Sequence, residues 1–127
     1  MKKVLLIAII LLNVSCLYKQ LDCKIIKVGT FKIDDPTYDF KSIIIRNDTI
    51  QIEKNLTLNT VSKYVVKWKN PCEYSLEMIE GPNDKMELNK GKILRIKIIS
   101  IQEDNYTFEA KMDGIAIVAT NTAERIK

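Results

Sequence analysis

Residues 62–80 read SKYVVKWKNPCEYSLEMIE. In the first half, Tyr64, Val66 and Trp68 alternate with Lys63, Lys67 and Lys69. In the second half, Tyr74, Leu76 and Met78 alternate with Glu73, Ser75 and Glu77. Period two is the mark of a half-buried strand, because successive side chains point to opposite faces. Asn70-Pro71-Cys72 turns the chain back between the two runs. The stretch therefore reads as an antiparallel strand pair with an aromatic inner face, and opposed Lys and Glu suit its outer face.

The same period extends in both directions. Toward the N-terminus, FKSIIIRNDTIQIEKN (40–55) reads as a hairpin turning at Asn47-Asp48, with Ile50 and Ile52 alternating with Gln51 and Glu53. KVGTFKID (27–34) puts Phe31 and Ile33 on one side and Val28, Thr30 and Lys32 on the other. Toward the C-terminus, GPNDKMELNKG (81–91) is rich in turn residues and has room for one turn of helix. KILRIKIISIQ (92–102) is an apolar strand whose facing changes, as a bulge or a strand shared by two faces would make it. YTFEAKM (106–112) puts Tyr106, Phe108, Ala110 and Met112 inward. Asp113-Gly114 is a hairpin signal, and IAIVAT (115–120) closes the set, with a polar tail from Asn121 that frays or adds a short edge. Seven or eight strands joined by short turns make an all-β, antiparallel up-and-down meander. A meander of this length curls into a small barrel or half-barrel to hide its edges.

The first 15 residues are different in kind. Lys2 and Lys3 precede an unbroken apolar run, Val4–Leu12, that is far shorter than the roughly 20 residues of a membrane-spanning helix. That pattern is a secretory signal peptide, residues 1–15. LLNVSC (11–16) resembles a bacterial lipobox: Ser15 fits the slot before a lipidated Cys16, while Asn13 stands where an aliphatic residue is usual. A lipidated Cys16 makes residues 16–23 a tether, anchors the protein to a membrane, and leaves residues 24–127 as one domain. The destination is then exported: periplasmic, outer-membrane-anchored or at the cell surface.

Export bears on the cysteines. With Cys16 lipidated, Cys23 and Cys72 remain in an oxidising compartment and are expected to pair, the alternative being two free buried thiols. The absence of His argues against a zinc site, and no metal or other cofactor is expected. It also removes the commonest general base and the usual catalytic triads, so the chain is not read as an enzyme. Asp34-Asp35 and Glu103-Asp104 fall in turns, where such residues cap the backbone. The formal charge of +4 falls to +2 when Lys2 and Lys3 leave, too little for a nucleic-acid footprint. Tyr64, Trp68, Tyr74, Leu76, Tyr106 and Phe108 are the candidate residues for a ligand-lined interior, or else for a packed core.

Together, DCKIIKVGTFKI, RNDTIQIE and VKWKNPCEYSLEMI resemble a family of small exported proteins of Bacteroidetes. That likeness implies an exported β domain and brings no activity with it. Some members carry a DNA topoisomerase label, which a single small exported domain does not support. A looser likeness is to lipocalins, where a glycine-aromatic strand closes the barrel base; Gly29-Thr30-Phe31 occupies that position here. The resulting expectation is a non-catalytic interaction or structural module of the envelope, facing an unknown envelope protein. The alternative is a lipocalin-like carrier of a small apolar ligand.

Overall fold

A computed structural model describes residues 21–126. The expected signal segment and the expected lipid attachment at Cys16 lie outside the described residues. A short 3-10 turn, Cys23–Ile26, leads into eight strands: β1 Gly29–Asp35, β2 Phe40–Arg46, β3 Ile50–Asn55, β4 Thr60–Asn70, β5 Glu73–Glu80, β6 Leu94–Gln102, β7 Asn105–Met112 and β8 Val118–Arg125. A short helix, α1 Asn83–Asn89, lies between β5 and β6. Every strand pairs antiparallel with its sequence neighbours, and β8 returns to β1, so the sheet is a closed barrel. Closure answers the edge problem that the strand count posed.

The local signals act as expected. Asn47 Oδ1 accepts from the backbone N–H of Thr49 and of Ile50, at 3.0 and 2.8 Å, which fixes the β2–β3 turn. Asn70 Oδ1 does the same for Cys72 at the β4–β5 turn, at 2.9 Å. In β6 the register slips between Ile98 and Ser100, where its facing changes. The β1–β8 seam, with only Phe31–Arg125 and Lys32–Glu124 in register, is the shortest, and the β5–β6 seam is the next. Only Glu73–Leu76 pair with Lys97–Leu94, because β5 runs on toward α1 without a partner on that side.

One element differs from the expectation. The closing strand is Val118–Arg125, not residues 115–120, and the polar segment from Asn121 is paired throughout. Ile115 and Ile117 stand exposed in the connection. The reason is closure: β8 must lie along β7 and also reach β1, pairing Arg125 with Phe31 and Glu124 with Lys32. Gly114 takes φ +82°, and that left-handed turn delays the start of β8.

A meander puts alternate connections at opposite ends. The 3-10 turn, the β2–β3, β4–β5 and β6–β7 turns, and the end of β8 share one end, here called the plug end. The β1–β2, β3–β4, β5–β6 and β7–β8 connections share the other, the mouth. Cys23 forms a disulfide with Cys72, with Cα atoms 5.2 Å apart, so the 3-10 turn is stapled across the base of the barrel. The tether expected to end at Cys23 therefore ends inside the fold, for Cys23 and Ile26 are buried.

Candidate functional site

The inner face of each strand decides what the barrel can do. The residues singled out in the sequence all point inward, and they pack. Phe31 and Tyr106 meet edge-to-face with centroids 5.1 Å apart. Trp68 and Tyr74 lie 4.6 Å apart, and Tyr106 and Phe108 5.7 Å. Tyr74, Leu76, Tyr106 and Phe108 are buried, with Tyr64 and Trp68 packed against them. Rings at these separations are in direct contact.

At the plug end this packing surrounds an arginine. Arg46 is 2% exposed. Its Nη2 donates to the Ile26 carbonyl at 2.7 Å and its Nε to the Lys27 carbonyl at 3.1 Å. Its Nη1 faces Tyr74 Oη at 2.9 Å, Gln51 Oε1 at 3.1 Å and Tyr106 Oη at 3.2 Å. The guanidinium also lies about 5–6 Å from the rings of Phe31, Trp68, Tyr74 and Tyr106. A buried charge is tolerated only when its donors are satisfied. Here the 3-10 turn supplies two carbonyls and the barrel wall supplies the rest. Burial drives the Tyr74 phenol far above its ordinary value, and the neighbouring Tyr106 adds to the rise despite the opposing Arg46 charge. Tyr74 therefore stays neutral. Arg125 closes the same end from β8, lying over the Phe31 ring at 4.9 Å and donating to the carbonyls of Val28 and Ile25.

Toward the mouth the lining turns polar on one side. β3 faces inward with Gln51, Glu53 and Asn55, not with its isoleucines. Register places Glu53 opposite Ser62 of β4 and Ile44 of β2, with Ser42 opposite Asn55. Asn55 is engaged, its Oδ1 accepting from the Leu58 N–H at 2.9 Å. The hydroxyls of Ser42 and Thr60 are buried without a hydrogen-bond partner. Burial lifts the Glu53 carboxyl above its ordinary 4.5. The Lys85 ammonium of α1 pulls it back, as does the Ser42 hydroxyl, which favours the carboxylate without reaching hydrogen-bonding geometry. Tyr64 is pushed up to about 12, first by burial and then by the Glu53 charge.

The raised Glu53 gives a signed pH prediction. Below 4.5 the carboxyl is protonated in both folded and unfolded chains and has no effect. As pH rises past 4.5 the unfolded chain ionises first, so stability falls until the folded carboxyl has also ionised. Glu53→Gln is therefore expected to raise the thermal midpoint at pH 7 to 8, with the gain vanishing below pH 4.5. Paired melting curves across that range check it.

Sequence reasoning missed Arg46 and the inward turn of Gln51 and Glu53. The signal for Arg46 was present: Ser42, Ile44 and Arg46 share one parity on β2, so an inward Ile44 requires an inward Arg46.

Among the described residues no cluster of three or more Cys, Asp or Glu is placed to hold a metal. No helix among them is long and apolar enough to cross a membrane. No family model, curated protein or solved structure matches the chain.

Among the described residues, two clefts of the outer surface stand out. One adjoins the disulfide, between Leu21, Lys24 and Pro71. The other is a groove of about 260 Å³ on the wall across β4 to β8. The mouth is distinguished by exposed apolar side chains on each of its four connections. They are Tyr38, Leu56 and Leu58, Leu88 of α1, and Ile115 and Ile117. Thr57 knits the first two connections together, its backbone-linked hydroxyl donating to the Asp39 carbonyl and accepting from the Lys41 N–H. The turns at the plug end carry Asn47-Asp48, Asn70 and Glu103-Asp104 instead, although Ile25 of the 3-10 turn, Val28 after it and Ile126 after β8 are half exposed.

Proposed function

We propose that the chain is an exported, lipid-anchored β domain of the bacterial cell envelope, a non-catalytic interaction module whose working face is the mouth. The observation that carries this reading is the crown of exposed apolar side chains on all four mouth connections. Scattered surface hydrophobes are ordinary, but a shared end with Tyr38 at 80% and Ile117 at 76% exposure marks a contact surface. Charges of both signs surround it, including Asp39, Lys41, Asp84, Lys85 and Glu87, so it has no bias toward an anionic membrane. An apolar patch on an envelope protein is the fitting partner.

The polarity of the barrel supports the arrangement. The described chain begins at the plug end, and Cys16 precedes Leu21 by five residues, at most about 18 Å of extended chain. A lipid there would hold the plug end toward the membrane and turn the mouth outward. The Cys23–Cys72 bridge is in keeping with an oxidising compartment. The rings that would line a carrier's cavity touch one another, which favours a module over a carrier of a small apolar ligand.

Two measurements test the proposal. Mass spectrometry of the mature protein from its own envelope is expected to find an N-terminal acylated Cys16; an intact, unmodified N-terminus would end the anchoring claim. A photo-crosslinker at Ile117 is expected to trap one discrete partner, lost in Tyr38→Ser/Leu58→Ser. The same group at Thr49, on the plug end, is expected to trap none. Equal yields from both ends would remove the mouth as the working face.

A further inference from the structure

We infer that the outer wall carries a second, separate site: an oxyanion-binding groove for a small molecule bearing a phosphate-type group. It is independent of the mouth and would survive the failure of that reading.

Strand register builds the groove. Two transverse rows of outward side chains cross the groove. In one row Glu73 faces Lys97, which faces Glu109. Signs alternate there, and Lys69 adds an ion pair to Glu73 at 3.7 Å. That row is neutralised by its own neighbours. In the next row Lys67 faces Ser75, Ser75 faces Arg95, Arg95 faces Lys111, and Lys111 faces Val118. This row holds three cations and no carboxylate. Arg95 and Lys111 are direct cross-strand partners, with Cβ atoms about 5 Å apart in such pairs, and like charges so placed repel.

One anion already meets the row, and it shows what the row accepts. Asp113, from the connection after β7, takes Arg95 Nε at 2.8 Å and Nη2 at 3.1 Å through its two oxygens. That leaves Arg95 Nη1 free of it, while neither Lys67 nor Lys111 meets a carboxylate within 4 Å. The Ser75 hydroxyl sits between Lys67 and Arg95 as a neutral donor. A tetrahedral oxyanion over Ser75 would meet Lys67, Ser75, Arg95 and Lys111 at once. It would also relieve the repulsion between the last two. Val118 ends the row with an apolar side chain, and the self-neutralised row of Glu73, Lys97 and Glu109 borders it. The groove thus suits a compact anion with an apolar end.

The test uses the full chain with its disulfide intact, in a nonionic detergent. The probes are inorganic phosphate, glycerol 3-phosphate and dihexanoylphosphatidylglycerol, each against chloride at equal ionic strength. Phosphate is expected to raise the thermal midpoint saturably and to shift the amide signals of Ser75, Arg95 and Lys111. Lys67→Ala and Lys111→Ala are each expected to weaken it about threefold to fivefold, the range of an exposed ion pair. Lys54→Ala, outside the row, is expected to change nothing. Lys111→Glu places a carboxylate opposite Arg95 and is expected both to abolish the phosphate response and to raise the midpoint without phosphate. A phosphate effect no greater than that of chloride, or one indifferent to Lys67 and Lys111, would overturn the site. So would a lower midpoint in Lys111→Glu. Tighter binding of glycerol 3-phosphate than of the lipid assigns the group to a soluble ester; the reverse order assigns it to a lipid headgroup.

Discussion

Replacing Arg46 with methionine is expected to cost about 2–6 kcal/mol of folding stability, read as a fall in the urea midpoint. The estimate comes from what is left behind. The carbonyls of Ile26 and Lys27 each lose their buried donor, at about 1–3 kcal/mol per orphaned group. Gln51, Tyr74 and Tyr106 also lose a shared donor, but a phenol can turn its own hydrogen toward a neighbour and recover part of that loss. A domain of this size has about 5–15 kcal/mol in total, so the variant stands near the threshold of folding. Arg46→Lys separates charge from geometry. A lysine keeps the positive charge but presents a point where the guanidinium presents a fork, and it cannot span carbonyls on the 3-10 turn and acceptors on the wall together. It is expected to fall between wild type and methionine. A lysine variant as stable as wild type would mean that charge alone holds the plug.

Breaking the disulfide should have an effect of similar size by a different route. Cys23 and Cys72 are 49 residues apart in sequence. The chain-entropy model gives such a crosslink about 4 kcal/mol, chiefly by restricting the unfolded chain. Cys72→Ser, with Cys23→Ser to avoid a stray thiol, is expected to lose that amount. The two changes should also couple. Without the staple, the 3-10 turn that supplies the Ile26 and Lys27 carbonyls is held mainly by Arg46 and Arg125. The double-mutant cycle of the serine and methionine variants is therefore expected to be non-additive, as for residues sharing one structural unit. Additive losses would show that plug and arginine act separately.

These two features differ in how far they could be read from the chain. The disulfide followed from counting cysteines under the expectation of export. The strand pair at 62–80, the turn at Asn47 and the slip in β6 followed from period, turn chemistry and facing, and the turn-rich stretch 81–91 left room for α1. Each is a local property, and local properties are written locally. Arg46 was not legible in the same way, because an arginine beside a turn looks like a solvated charge until the opposite wall supplies Tyr74 and Tyr106. Gln51 and Glu53 alternate with isoleucines, and alternation alone does not say which set faces in. The start of β8 was missed because the apolar residues 115–117 look more strand-like than Asn121-Thr122, yet only the later segment can meet β1. The cation row is the furthest from sequence: Lys67, Arg95 and Lys111 become neighbours only through three successive registers.

Ring closure has a last consequence. A sheet that ends in a free strand can be extended by another chain, and that is how many β proteins recruit peptides or template their own assembly into fibres. This cylinder offers almost no such terminus. The exceptions lie beside the two short seams, along the far half of β5 and the part of β8 before Glu124; on β5, Glu77 and Glu80 put negative charge on the stretch that an incoming strand would have to cover. Copies meeting along β5 would thus repel one another there, and association at that strand must be negotiated by side chains.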